Sequence, residues 1–392
     1  MSAVVAETGE KQFRQDPHYL RLSVLGWLHF LNDGAANFLP GVLPAVLLAV
    51  GLDTGYAGTV MSALLIGQSL QVFSGWLADR IGGRLLIALG LLGSSIGAAG
   101  IGWATSVDWL VPALLAIGIS NALFHPQALA SARSLSGTRP GFGMSLFLVG
   151  GEIGRGLWPL IASLVVIAWG TRNLWVLGLP ALFSIALLWR TLPVQSRRPA
   201  HLGGVDWHRD VGRRLALIGF STLRALAIFG SVTYVPVLWH HQGRPLVDGA
   251  AAIATLLIVG IIGNVGGGHL ADRVGRRVVM AGSSILGAAL FLAFAFSGGA
   301  WSWIWLGLLG IALFAALPLS VLEGQDLFPG NRSLGSGLAL GLSNGLAALA
   351  LLGLDPLARA HGVPAVLWLL AAALLVAAAA AVALPEGTRR AG

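Results

Sequence analysis

Twelve mainly apolar stretches, most of them about 20 residues long, decide what this 392-residue chain can fold into. They run near 21–49, 56–78, 85–105, 109–131, 142–168 and 173–192, then 214–238, 249–271, 277–297, 301–322, 333–354 and 363–384. A helix needs roughly 20 residues to cross a bilayer. Inside hydrocarbon every backbone N–H and C=O must find a partner within the protein, so such stretches read as helices. Composition closes the alternatives. With 56% hydrophobic and only 10% charged residues, the chain has too few charges to cover a water-soluble surface and too much apolar surface for disorder. Cysteine is absent, which removes disulfides, thiolate metal sites and cysteine nucleophiles. No nucleophile motif and no soluble domain is visible, so the chain does not read as an enzyme, and no cofactor is implied. Residues 1–19 lack the charged, apolar, cleavage-site order of a signal peptide.

The stretches fall into two sets of six. The one long polar connection, Pro193 to Arg214, separates them and carries Arg197, Arg198, Asp206, Arg209, Asp210 and Arg213. The expected organisation is an N-terminal six-helix bundle over 1–192, a cytoplasmic linker over 193–213 and a C-terminal six-helix bundle over 214–392. Basic residues gather in cytoplasmic loops. Placing both termini in the cytoplasm puts 19 of the 24 Lys and Arg on that side and leaves only Arg172, Arg244 and Arg359 on the other. The net charge of +8 therefore marks topology, with the inner membrane and its lipid as partner, and not nucleic-acid binding.

Two loops match at an offset of 193 residues. The first reads Gly75-Trp-Leu-Ala-Asp79-Arg80-Ile-Gly82-Gly83-Arg84, the second Gly268-His-Leu-Ala-Asp272-Arg273-Val-Gly275-Arg276-Arg277. Each follows the second span of its half, as a duplicated six-helix unit requires. Gly75 and Gly268 are expected to let a helix end approach a neighbour, and Gly82 and Gly275 to allow a tight turn. Asp79 and Asp272 are expected at a helix N-terminus or paired with the arginines that follow. The pattern resembles the loop signature of the major facilitator superfamily. The resemblance implies an all-α membrane protein of twelve transmembrane helices in two pseudo-symmetric bundles, a central cavity, alternating access, and a gating role for this motif on the cytoplasmic side. Three further segments, His29-Phe-Leu-Asn32-Asp33-Gly34, Phe124-His125-Pro126 and Ser145 to Gly154, are similar to the fosmidomycin-resistance branch, which implies drug export or a related permease. The chain departs from that branch at Arg155 and at Trp158-Pro159.

Only four charges lie well inside spans: Asp33, Glu152, Arg155 and Arg224. A charge at the bilayer centre costs about 2.5–3.5 kcal/mol on insertion scales, so each is expected to face the bundle interior with a partner. His29, Asp33 and Asn37 are spaced i, i+4, i+8 and form one polar stripe beside Asn32. Burial favours the neutral form of a carboxylate, which makes Asp33 a candidate proton carrier. Glu152 and Arg155, at i and i+3, share a face. They read either as a structural pair or as a switch in which protonation of Glu152 frees Arg155 for an anionic solute. Arg224 has no acidic residue in its own span and calls for a partner such as Asp33 or Glu152, or for a substrate. His125 precedes Pro126 in mid-span and is a second candidate proton relay. His29, Asn32, Asn37, Arg155, Arg224, Asn264 and Asn344 are the candidate solute contacts. His29, Asp33 and His125 also form a minor candidate metal set, although nothing in their spacing requires a metal.

The expected function is secondary active transport of a small organic solute, with proton-coupled export by a monomer as the leading reading. Proton-coupled uptake of an organic anion is the alternative. Export of a metal or metal chelate is a minor one, and a non-transporting membrane scaffold is disfavoured by two complete loop motifs.

Overall fold

The computed structural model describes residues 18–71, 74, 83–137, 140–192, 210–328 and 332–384. The described residues form helices and short turns, with no strand among them. In chain order the α-helices are α1 (Tyr19–Asn37), α2 (Leu43–Ala49), α3 (Ala57–Ser69), α4 (Gly83–Ile101), α5 (Val107–Leu135), α6 (Pro140–Trp169) and α7 (Leu179–Thr191). The second half contributes α8 (Val211–His241), α9 (Leu246–Val274), α10 (Arg276–Ala295), α11 (Ala300–Ala315), α12 (Leu317–Leu327), α13 (Arg332–Gly337), α14 (Ser343–Leu352), α15 (Leu354–His361) and α16 (Val363–Val382).

Ten segments of the described residues are long and apolar enough to cross a membrane, or eleven if the bent pair Leu43–Ala49 and Thr54–Ser69 counts as one. The sequence count of twelve covers the whole chain, and its first two stretches account for the difference. The first apolar stretch is broken where Pro40 and Pro44 interrupt the backbone ladder, leaving α1 and α2 as separate pieces. The second stretch runs on into residues 72–82, most of which lie outside the described residues. The linker 193–213 lies there too, apart from its last four residues.

Small residues set the helix spacing, since lipid offers no hydrophobic drive for helices to associate. α1 packs along α6. A methyl group on Gly150 or Gly154 would strike the backbone carbonyl of Gly26 or Phe30. In the second half α9 packs on α11, where Gly263 and Gly267 lie against the carbonyls of Ile311 and Ala315. The halves meet through α6 against α9 and through α3 against α8 and α14. Across that seam Gly156 faces Ile258 and Gly345 faces Ser69.

Candidate functional site

Asp33 is the centre of a buried polar cluster in the first half. It is only 2% exposed. On Oδ1 converge Asn32 Nδ2 and Asn121 Nδ2, each at 3.3 Å, and His125 Nε2 at 3.1 Å. On Oδ2 converge His29 Nε2 and Arg155 Nε, each at 3.3 Å. Arg155 also donates to Glu152 Oε1 at 2.6 Å. α1, α5 and α6 supply these groups, and Ser94 of α4 donates to Asn32 Oδ1 at 3.3 Å.

The imidazole orientations are fixed by backbone carbonyls. His29 Nδ1 lies 2.9 Å from the Phe147 carbonyl and His125 Nδ1 3.0 Å from the Asn121 carbonyl. A carbonyl only accepts, so each Nδ1 carries its hydrogen and donates. Each Nε2 therefore faces Asp33 as a lone pair when the ring is neutral and as a donor when it is protonated. The His29 ring is stacked on Phe147 with centroids 4.2 Å apart and meets the edge of His125 at 5.2 Å. Glycine is required at 151, because a methyl group there would enter the His29 ring.

Charge counting shows what the cluster can do. Two carboxylates and one guanidinium leave one negative charge in excess when both rings are neutral. One proton shared between an imidazole and Asp33 cancels it and turns a lone pair facing a carboxylate oxygen into a hydrogen bond. The route to this proton is short: the His125 and Arg155 side chains are 20% and 34% exposed, whereas His29 and Asp33 are each 3%. The ligand atoms of His29, Asp33 and His125 lie within 4.8 Å of one another, a spacing that could hold a metal ion. The Arg155 guanidinium on Asp33 Oδ2 already occupies that carboxylate and repels a second cation.

The remaining sequence candidates divide. His29 and Asn32 are buried and bonded within the Asp33 cluster, so they shape the centre and present little surface to a solute. Asn37 Nδ2 donates to the Asp33 carbonyl at 2.8 Å, holding the last turn of α1. Asn264 and Asn344 are half-buried on α9 and α14. Of the partners considered for Arg224, neither Asp33 nor Glu152 meets it, since both pair with Arg155. It is 3% exposed and lies at a narrow crevice within the second half, lined by Ser283, Ser284, Leu313 and Leu374. Among the described residues no acidic group lines that crevice, and Arg224 Nε has no hydrogen-bond partner.

Of the first loop motif, Gly75, Asp79, Arg80 and Gly82 lie outside the described residues. Arg84 donates to the Leu192 carbonyl at 3.2 Å and lies over the Trp189 ring, so it closes the C-terminal end of α7. In the second motif Gly275 adopts φ +96° and makes the turn between α9 and α10, as expected. Arg276 donates to Glu323 Oε1 at 3.3 Å and Asp326 Oδ2 at 2.6 Å, tying the turn to the end of α12. Two expectations are corrected. Gly268 faces open space, and the close approach belongs to its neighbour Gly267, one position around the helix. Asp272 is exposed in the last turn of α9, not at an N-terminus, and among the described residues it pairs with none of the three motif arginines.

Comparison with known proteins accounts for this pairing of halves. The family profile of the Major Facilitator Superfamily matches residues 25–352. The chain belongs to the major facilitator superfamily. As a member it is a multi-pass membrane transporter of small solutes. It is 27% identical over 360 residues to the uncharacterized MFS-type transporter YfnC of Bacillus subtilis, covering 88% of each chain. It is 26% identical over 348 residues to the fosmidomycin resistance protein of Escherichia coli, covering 85% of each. The superfamily fold is seen equally in the crystal structure of the nucleoside transporter NupG, with a TM-score of 0.73 at 17% identity over 92% of this chain and 97% of that one.

Sequence reasoning missed Asn121, Ser94 and the Phe147 carbonyl. The polar residues of α4 and α5 were the available signal, but nothing in one sequence says which face of α1 they meet.

Proposed function

We propose that this transporter exports a small organic solute across the inner membrane by alternating access, in exchange for protons bound at the Asp33 cluster. The observation that carries the reading is the pair of imidazoles whose Nδ1 atoms are both committed to carbonyls, so that both Nε2 atoms aim at one buried carboxylate. His125 is the more exposed ring and passes the proton to and from the Asp33 oxygen 3.1 Å away. Arg155 bridges Asp33 and Glu152 and, with its side chain 34% exposed, is the most exposed member of the cluster. When a proton reaches the cluster, the hold of the carboxylates on Arg155 weakens, and the guanidinium is free to meet an anionic or polar group of the solute. Export is favoured by likeness to the fosmidomycin resistance protein. The arginine distribution supports the orientation with both termini in the cytoplasm.

Uptake of an organic anion is a second reading, favoured by the 34% exposure of Arg155 beside the seam. Both are tested in proteoliposomes holding a pH-sensitive dye and a panel of radiolabelled solutes. Export by exchange predicts solute movement against the proton gradient, uptake predicts movement with it, and Asp33→Asn is expected to uncouple either. A solute flux indifferent to the pH gradient, with Asp33→Asn as active as the parent, overturns the proton role.

A further inference from the structure

A buried carboxylate joins the two halves far from Asp33 in the sequence. Asp355, in the first turn of α15, is 1% exposed. Its Oδ1 accepts from the backbone N–H of Gly58 at 2.8 Å and from the Tyr234 hydroxyl at 2.7 Å. Its Oδ2 accepts from the Thr59 N–H at 2.7 Å and the Thr59 hydroxyl at 2.6 Å. Gly58 and Thr59 begin α3, whose own N-cap residue, Tyr56, gives no side-chain cap. The first N–H groups of a helix need acceptors and carry the positive end of its dipole. Here the acceptor comes from the opposite half of the molecule. The fit is close: a methyl group on Gly58 would stand 2.7 Å from Asp355 Oδ1 and 2.5 Å from the Tyr234 hydroxyl.

The surroundings repeat the pattern. One turn further along α15, Arg359 donates to the Gly55 carbonyl at 3.0 Å and lies over the Tyr56 ring. Thr54 meets His241 at 2.6 Å, and deeper in the seam Ser62 donates to the Ala348 carbonyl at 2.8 Å. Each of these bonds joins the first half to the second. Each also lies on the face opposite the Arg276 turn. Alternating access requires that face to open, and α3 cannot leave α14 while Asp355 caps it.

We infer that Asp355 is a positioning residue for transport: a carboxylate of the second half that caps the second span of the first and holds this face shut until the halves rock apart. The inference rests on the alternating-access part of the proposed function and is independent of proton coupling and of the solute. Because the carboxylate joins two backbone donors and two hydroxyls, its loss shifts the balance of the halves toward the state open on this face.

The chain contains no cysteine, so one introduced thiol reports without background. Ser62 is fully buried in the seam beneath the latch. In sealed vesicles a Ser62→Cys protein is labelled with a membrane-impermeant maleimide added to each side in turn. Asp355→Asn is expected to raise labelling from the α15 face about tenfold, and Tyr234→Phe to raise it by a smaller factor, since one charge-assisted bond out of four is lost. Asp355→Glu restores the acceptor charge and is expected to fall between parent and Asn. Labelling that stays at the parent rate in both Asp355→Asn and Tyr234→Phe overturns the inference. So does an equal rise from both sides, which reports loosening and not a gate. If Asp355→Asn fails to reach the membrane, Tyr234→Phe and Thr59→Val carry the same test. A one-sided rise together with a solute flux indifferent to pH keeps the latch and removes the proton reading.

Discussion

Replacing Arg155 by Gln strips the Asp33 cluster of its one permanent positive charge. The guanidinium stands 2.6 Å from Glu152 Oε1 and 3.3 Å from Asp33 Oδ2. Both carboxylates are nearly sealed, at 11% and 3% side-chain exposure. Removing one partner of a buried pair costs about 3–5 kcal/mol, because the other charge stays behind. The Arg155 side chain is 34% exposed, so solvent screening discounts this to about 2–3 kcal/mol. Roughly 2–4 °C of melting temperature is the corresponding loss for a chain of this length. The partners rank by what each leaves stranded. Glu152→Gln is expected to cost less than Arg155→Gln, since Arg155 keeps Asp33. The double variant Glu152→Gln/Arg155→Gln is expected to be more stable than Arg155→Gln alone, through a coupling on the order of 1–2 kcal/mol. The assay is thermal unfolding of the four proteins in one detergent at one pH. An Arg155→Gln protein melting with the parent, or a double variant whose losses simply add, refutes the charge accounting.

Arg224→Met is expected to raise the melting temperature, because it replaces a 3%-exposed cation with no acidic neighbour by an apolar side chain of similar length; a drop in melting temperature counts against this. Gly151→Ala is expected to destabilise by about 1–3 kcal/mol, since the His29 ring must leave its stack on Phe147, and thermal unfolding reads the cost. Arg276→Ala breaks its bonds to Glu323 and Asp326; Asp326 is 61% exposed and loses little, but Glu323 at 4% is left buried without its cation, so the expected stability loss is about 2–3 kcal/mol. Its larger effect is expected on transport rate, read as solute flux at matched protein density.

The sequence speaks most clearly within a single helix. Spacing alone placed His29, Asp33 and Asn37 on one stripe and brought Glu152 to Arg155, and the structure shows those relations. It was silent on which helix faces which. In a soluble bundle the apolar stripe points to the core, but here lipid and core are equally apolar, so hydrophobic periodicity does not orient a span. That is why the sequence left the partner of Arg224 open between Asp33, Glu152 and a substrate, and the side chain lies among the helices of its own half. It is also why Gly268 was chosen over Gly267, which differ by one position and about 100° of helix rotation. Asp355 escaped for a simpler reason. A lone acidic residue near a span end reads as topology until the partner helix that it caps is in view.

Among the described residues, the groups that touch Asp33 all come from the first half: α1, α5 and α6, with α4 behind them. A rigid tilt of one half against the other therefore stretches none of these contacts. The cluster would travel as cargo of its own bundle, and under the proposed exchange a turnover would change only which aqueous compartment wets His125 and Arg155. Its proton affinity is then free to stay the same in both orientations. Under the proposed proton exchange the driving force would enter through the difference in proton concentration between the compartments, and the site itself would have no need to be rebuilt on each cycle.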